Sequence, residues 1–137
     1  MALAIADIVV PDAATTPVNH TFKGIKYQDG VTRYREETAT HPSGYWTVGL
    51  SLREPAASKN GSSVYRATAT YNHPVLVTEV INGVSVPKVA YTIRYNVEAV
   101  LPNDCTLQNR KDSRKILVGL LNDSQFKGVF EDLIPPT

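Results

Sequence analysis

Between Tyr45 and Leu101 apolar and polar residues alternate through three long segments. Trp46, Val48, Leu50 and Leu52 alternate with Thr47, Gly49, Ser51 and Arg53. Tyr65, Ala67, Ala69 and Tyr71 alternate with Arg66, Thr68 and Thr70. Val89, Tyr91, Ile93, Tyr95 and Val97 alternate with Lys88, Ala90, Thr92, Arg94, Asn96 and Glu98. Successive side chains of a strand point to opposite faces, so each segment carries one apolar and one polar face. That is the signature of an antiparallel sheet covered on one side only. A turn through residues 55–61 separates the first two segments, and a further strand from Val75 to Ile81 runs into Asn82-Gly83, a strong two-residue hairpin signal.

The flanks complete a single domain. Ile5 to Val10 and Val18 to Ile25, joined across the turn-rich Ala13 to Pro17, predict an N-terminal hairpin within 1–29. Val31 to Glu36 predicts another strand, closed by a loop through His41-Pro42-Ser43-Gly44, and the sheet occupies 30–102. From 103 to 137 the spacing becomes helical: Ile116, Leu117, Leu120 and Leu121, then Phe126, Val129, Phe130 and Leu133. Asn122-Asp123-Ser124 can end one helix and cap the next. Arg110, Lys111, Arg114 and Lys115 form the solvated side of the first helix. Two short helices barely cover five strands, so the pattern favours a dimer that shares its cover.

The 137 residues carry 14 Lys+Arg against 13 Asp+Glu, a formal net charge of +1, which excludes a polybasic tail or an acidic solvating segment. One cysteine, Cys105, allows no intrachain disulfide, and no Cys or His spacing suits zinc. The N-terminal residues lack a basic leader and an apolar core long enough for a signal peptide, and no run approaches a membrane span. A soluble protein made in the cytoplasm is expected.

Catalytic chemistry finds no foothold. His20, His41 and His73 read as isolated histidines in turn-like segments, and Cys105 as an inert thiol near a helix start. Gly-rich phosphate loops are missing. Glu36-Glu37 and Glu131-Asp132 are adjacent in sequence, and in a strand such neighbours point apart. Neither an enzyme nor a cofactor is implied.

The placement of charge says more than its sum. Residues 45–103 hold 5 basic and 3 acidic groups, whereas 1–44 hold 4 and 5, and 104–137 hold 5 of each. Arg53, Arg66, Lys88 and Arg94 share the polar parity with Ser51, Thr68, Thr70, Thr92 and Asn96. Such a face can neutralise phosphates and hydrogen-bond exposed bases. It also suits an ordinary solvated strand face, or the open face of a cellular dimeric β-sheet module that binds a peptide or small ligand.

Val48-Gly49-Leu50-Ser51-Leu52-Arg53-Glu54, the strand Tyr65 to Tyr71, Asn82-Gly83-Val84 with Pro87, the strand Ala90 to Leu101 containing Tyr95-Asn96-Val97-Glu98, and Gly119-Leu120-Leu121-Asn122-Asp123 resemble the coat proteins of the single-stranded RNA bacteriophages, the leviviruses. The similarity runs from about Gly30 to the C-terminus. It implies an α+β fold: an N-terminal hairpin, a five-stranded antiparallel sheet and two C-terminal helices, in an interlocked homodimer with one continuous sheet. Dimers would build an icosahedral capsid in the bacterial host cytoplasm, with the open sheet face lining the lumen. The phage maturation protein would be a further partner, and no membrane is involved. The loop of Asn82 and Gly83, between the sixth and seventh strands and followed by Pro87, would join dimers at the symmetry axes.

The resemblance also implies genomic RNA on the sheet face, including a stem-loop whose capture represses translation and marks the genome for packaging. Val31, Ser51 and Asn96 match residue types that contact the hairpin, and Arg53 matches a basic position beside them. Gly49 stands where a Thr would help form an adenine pocket, Arg66 and Thr68 replace a Thr and a Lys, and Arg94 replaces a stacking Tyr. A shift of the strand by two residues would bring Thr68 and Thr70 to the pocket instead. Either register keeps the same face.

Overall fold

The computed structural model describes residues 4–54 and 64–137. The turn expected at 55–61 lies outside them. The chain divides into two compact units, Met1–Val100 and Leu101–Thr137.

The first unit is built by reverse turns. Asn82 and Gly83 have φ of 51° and 78°, and Asp29 and Gly30 have 54° and 80°. Two consecutive left-handed residues make the type I′ hairpin turn, whose twist matches that of the flanking strands. Around these turns lie β1 (Ile8–Pro11), β2 (Asn19–Gln28), β3 (Val31–Glu36), β4 (Trp46–Arg53), β5 (Val64–Ile81) and β6 (Val84–Pro102), in the spatial order of the sequence. The pairs from β1 to β5 are antiparallel.

Among the described residues the sheet has six strands, because the segments expected as Tyr65–Tyr71 and Val75–Ile81 are one continuous strand through Pro74. Proline has no N–H to give a ladder. Here β4 pairs with β5 only as far as Thr47 opposite Asn72, so Pro74 lies past the end of that ladder. The Asn82-Gly83 turn therefore joins the fifth and sixth strands.

β2 does double duty. Its residues up to Phe22 pair with β1 and those from Lys23 on with β3, and a bulge between Gly24 and Lys26 bends it within the β3 ladder. The hairpin β1–β2 thereby reaches the apolar side of the sheet. Phe22, 4% exposed, sets its ring edge-on to Tyr71 at 6.1 Å, and Tyr34 is the other buried aromatic residue among those described.

Polar groups fasten the same side. Asp12 accepts backbone N–H bonds from Ala14 and Val18, and its other oxygen lies 2.9 Å from His20 Nε2. Those bonds, led by Val18 N–H, hold the Asp12 carboxyl down at about 2. His20 Nδ1 lies 3.6 Å from Glu36 Oε2, and Glu36, 2% exposed, accepts the N–H of Thr38 at 2.8 Å. Trp46 sits 4.7 Å from the ring of His20 and stacks at 4.1 Å on His73, whose Nδ1 meets the Tyr71 hydroxyl at 2.6 Å. His20 and His73 are thus strand residues in a clustered environment, which corrects the expectation of isolated turn histidines. Only His41 keeps that character, accepting the N–H of Ser43 at the start of a 3₁₀ turn.

The second unit contains α1 (Leu107–Leu121) and α2 (Ser124–Glu131). Thr106 caps α1 by accepting the Asn109 N–H, and Asp123 caps α2 by accepting that of Gln125. The Asn122–Ser124 junction thus ends one helix and starts the next, as the sequence predicts. Arg110 is half-buried and bonds the Cys105 carbonyl at 3.0 Å, while Lys111, Arg114 and Lys115 are exposed. No residue of either helix is buried in the single chain.

Candidate nucleic-acid interface

Residues directly opposite each other in paired strands share a face, so the register fixes the composition of the polar side. Val31 stands opposite Ser51, and Ser51 opposite Thr68; Arg33 stands opposite Gly49, and Gly49 opposite Thr70; Arg53 stands opposite Arg66. Arg35, Thr47 and Asn72 form another row, in which the Asn72 amide donates to the Thr47 hydroxyl at 3.3 Å. The opposite side holds the rows of Tyr34, Val48 and Tyr71, of Thr32, Leu50 and Ala69, and of Leu52 and Ala67.

Gly49 is buried between its neighbours on the polar side. A Cβ there would lie 2.9 Å from Thr70 Oγ1 and 3.4 Å from Val31 Cγ1, so those two side chains close over the glycine.

β6 joins this face through a charge contact. Arg66 Nη1 lies 2.6 Å from Glu98 Oε1, both about half exposed. Lys88 lies 3.6 Å from Glu79. Among the described residues Arg53 and Arg94 have no ion pair. Of the four cations read from the sequence, two are therefore tied to carboxylates and two are open to a ligand. Asn96 is exposed on β6, and Pro87 follows the Asn82-Gly83 turn within the same strand.

The register brings Val31, Ser51, Arg53, Arg66, Thr68 and Thr70 onto one surface. It also adds Arg33, which the sequence reading passes over although Val31, Arg33 and Arg35 alternate with Thr32, Tyr34 and Glu36. Lys23 and Lys26 of β2, opposite Arg35 and Arg33, were hidden by the bulge, which breaks the parity of the segment.

Among the described residues no three His, Cys, Asp or Glu side chains gather to hold a metal, and no helix is long and apolar enough to cross a membrane.

No curated protein matches the chain in sequence. Solved structures do. A virus-like particle of bacteriophage ESE058 contains a chain 32% identical to this one, with a TM-score of 0.89 over 98% of this chain and 100% of that one. A virus-like particle of bacteriophage NT-214 matches at 28% identity and a TM-score of 0.83, again over 98% and 100%. The protein capsid of bacteriophage GA, at 23% identity and a TM-score of 0.69 over 85% and 84%, shares the fold. The family model described as levivirus coat protein matches residues 3–136. Sheet, hairpin and helices all fall inside that one match, and the chain belongs to the levivirus coat protein family, the structural proteins of the viral capsid.

Proposed function

We propose that two copies of the chain join along β6, that these dimers assemble into an icosahedral shell, and that the polar sheet face holds single-stranded RNA inside it. The observation that carries the RNA reading is the alignment across β4 and β5, where Arg53 meets Arg66, Ser51 meets Thr68 and Gly49 meets Thr70 on one surface. Arg53, Arg66, Lys88 and Arg94 supply the positive field. Val31, Ser51, Thr68, Thr70 and Asn96 supply contacts to bases and sugars. No catalytic step is involved.

The dimer reading rests on what one chain leaves bare. β6 is the last strand of the sheet and has one neighbour, so a 19-residue edge of backbone donors and acceptors is open. Its apolar side is open too, with Tyr91 at 59% exposure and Ile93, Tyr95 and Val97 also exposed. The helices leave Ile116, 62% exposed, and Phe130, 51% exposed, with their apolar neighbours. Such surface on a soluble chain marks an association site. The virus-like particles of ESE058 and NT-214 support the assembly step, and in this reading Asn82, Gly83 and Pro87 make the contacts between dimers. Assembly takes place in the bacterial cytoplasm, with the maturation protein and a genomic stem-loop that acts as translational operator as further partners.

The test of RNA binding is the affinity of the dimer for unstructured single-stranded RNA against salt. Each phosphate contact contributes a slope of about −0.7 in log affinity against log salt. A steep fall is expected, and a flat dependence overturns the sheet face as the RNA site.

A further inference from the structure

Two cation pairs face each other across β2 and β3 on the polar side: Lys26 stands directly opposite Arg33, and Lys23 opposite Arg35. Directly opposed residues have Cβ atoms about 4.5–5.5 Å apart, and like charges placed so repel. The fold treats the two pairs differently. Arg35 donates from Nε and Nη2 to Glu37 Oε1 at 2.9 and 2.7 Å and lies over the Tyr45 ring at 5.4 Å. Its charge is compensated within the chain. Lys26 and Arg33 are both exposed, and among the described residues neither has a carboxylate or a ring partner.

The uncompensated pair does not stand alone. Its row continues through the buried Gly49 to Thr70, whose hydroxyl lies over the glycine. Read from β2 to β5, the row is cation, cation, covered glycine, hydroxyl. With strands about 4.8 Å apart it spans roughly 14 Å. An anionic oxygen relieves the repulsion at one end, and a hydroxyl takes a hydrogen bond at the other. A sugar-phosphate chain lying flat on the sheet offers both.

We propose that Lys26 and Arg33 form a phosphate-binding strip that extends the RNA face from the central sheet onto β2, and that Arg35 takes no part in it. The inference rests on the sheet-face reading above and adds a strand to it.

Salt titrations on RNA-free dimers test it. Lys26→Gln with Arg33→Gln is expected to lower the salt slope for single-stranded RNA by about 1.4, at about 0.7 per lost phosphate contact. Arg33→Lys retains the slope, and so does Arg35→Gln. The thermal midpoint of the RNA-free double variant stays level or rises, because a repulsion has been removed. Lys26 in assembled particles is expected to acylate more slowly when RNA fills the shell than after the RNA is removed. A steep wild-type slope that the double variant leaves unchanged overturns the strip. So does a lower midpoint, which makes the pair structural, or equal protection of Lys26 with and without RNA, which gives the surface to a neighbouring subunit. A flat wild-type slope is a different failure, since it removes the sheet-face reading and the strip with it.

Discussion

Arg66 of β5 and Glu98 of β6 meet at 2.6 Å on the polar face, so one of the cations best placed for phosphate is held by a carboxylate in the RNA-free chain. Both side chains are about half exposed, and a pair of that kind contributes at most about 1 kcal/mol to stability. Glu98→Gln is expected to leave the melting temperature almost unchanged while raising affinity for nonspecific single-stranded RNA and steepening its salt slope by about 0.7. Filter binding at several salt concentrations measures both. An unchanged affinity would mean that Arg66 is not released to RNA.

Arg66→Ala combined with Arg94→Ala removes one tied and one open cation from β5 and β6. The double variant should carry less RNA per particle, read from absorbance at two wavelengths, and still run as a dimer in size-exclusion chromatography. Loss of the dimer would make these side chains structural.

Gly49 and Thr70 supply a steric test of the register. A methyl at Gly49 meets Thr70 Oγ1 at 2.9 Å, so Gly49→Ala is expected to cost about 1–2 kcal/mol in urea denaturation despite replacing a flexible glycine. Thr70→Ala in the same chain should recover most of that loss. Additive costs in the double-mutant cycle would place the two residues apart.

Phe22 fastens the hairpin to the sheet. At 4% exposure with its ring against Tyr71, its truncation to Ala is expected to cost about 3–5 kcal/mol. Equilibrium denaturation of the RNA-free protein reads this directly, and a cost below about 1 kcal/mol would show that the hairpin is not part of the cooperative core.

Stability should depend on pH through three groups under the hairpin. Burial, aided by the charge of His20, lowers the affinity of His73 for a proton. The unfolded imidazole is then protonated first, and stability falls as pH drops below about 6.5. Asp12 adds a second loss in acid: its stabilisation is present above its unfolded value of 3.8 and disappears toward about 2. In alkali, burial pushes the Tyr71 phenol up to about 12, so stability falls as pH rises past 10. Thermal melts from pH 3 to 11 follow all three, and His73→Gln should flatten the step near pH 6.5.

The two-faced sheet was legible because alternation survives any loop length, and the rows Arg53–Arg66 and Ser51–Thr68 align the polar parity read from each strand. The helix junction was legible because a side-chain cap is local in sequence. Three features were not. Pro74 reads as a strand breaker, and only the end of the β4 ladder at Thr47 explains why β5 passes through it. The bulge after Gly24 shifts the parity of Lys26, hiding the β2 cations. The cluster of Asp12, His20, Glu36, Trp46 and His73 draws on five separate strands and turns, so no spacing announces it. Asp29-Gly30 carried the same turn signal as Asn82-Gly83 and forms the same turn.

The most direct measurement is to express the chain alone in a bacterium and examine the purified product by negative-stain electron microscopy together with size-exclusion chromatography at two wavelengths. Uniform virus-sized particles with a nucleic-acid absorbance ratio that falls in the Arg66→Ala, Arg94→Ala variant are the expected result. A stable small dimer free of nucleic acid would contradict an RNA-holding shell.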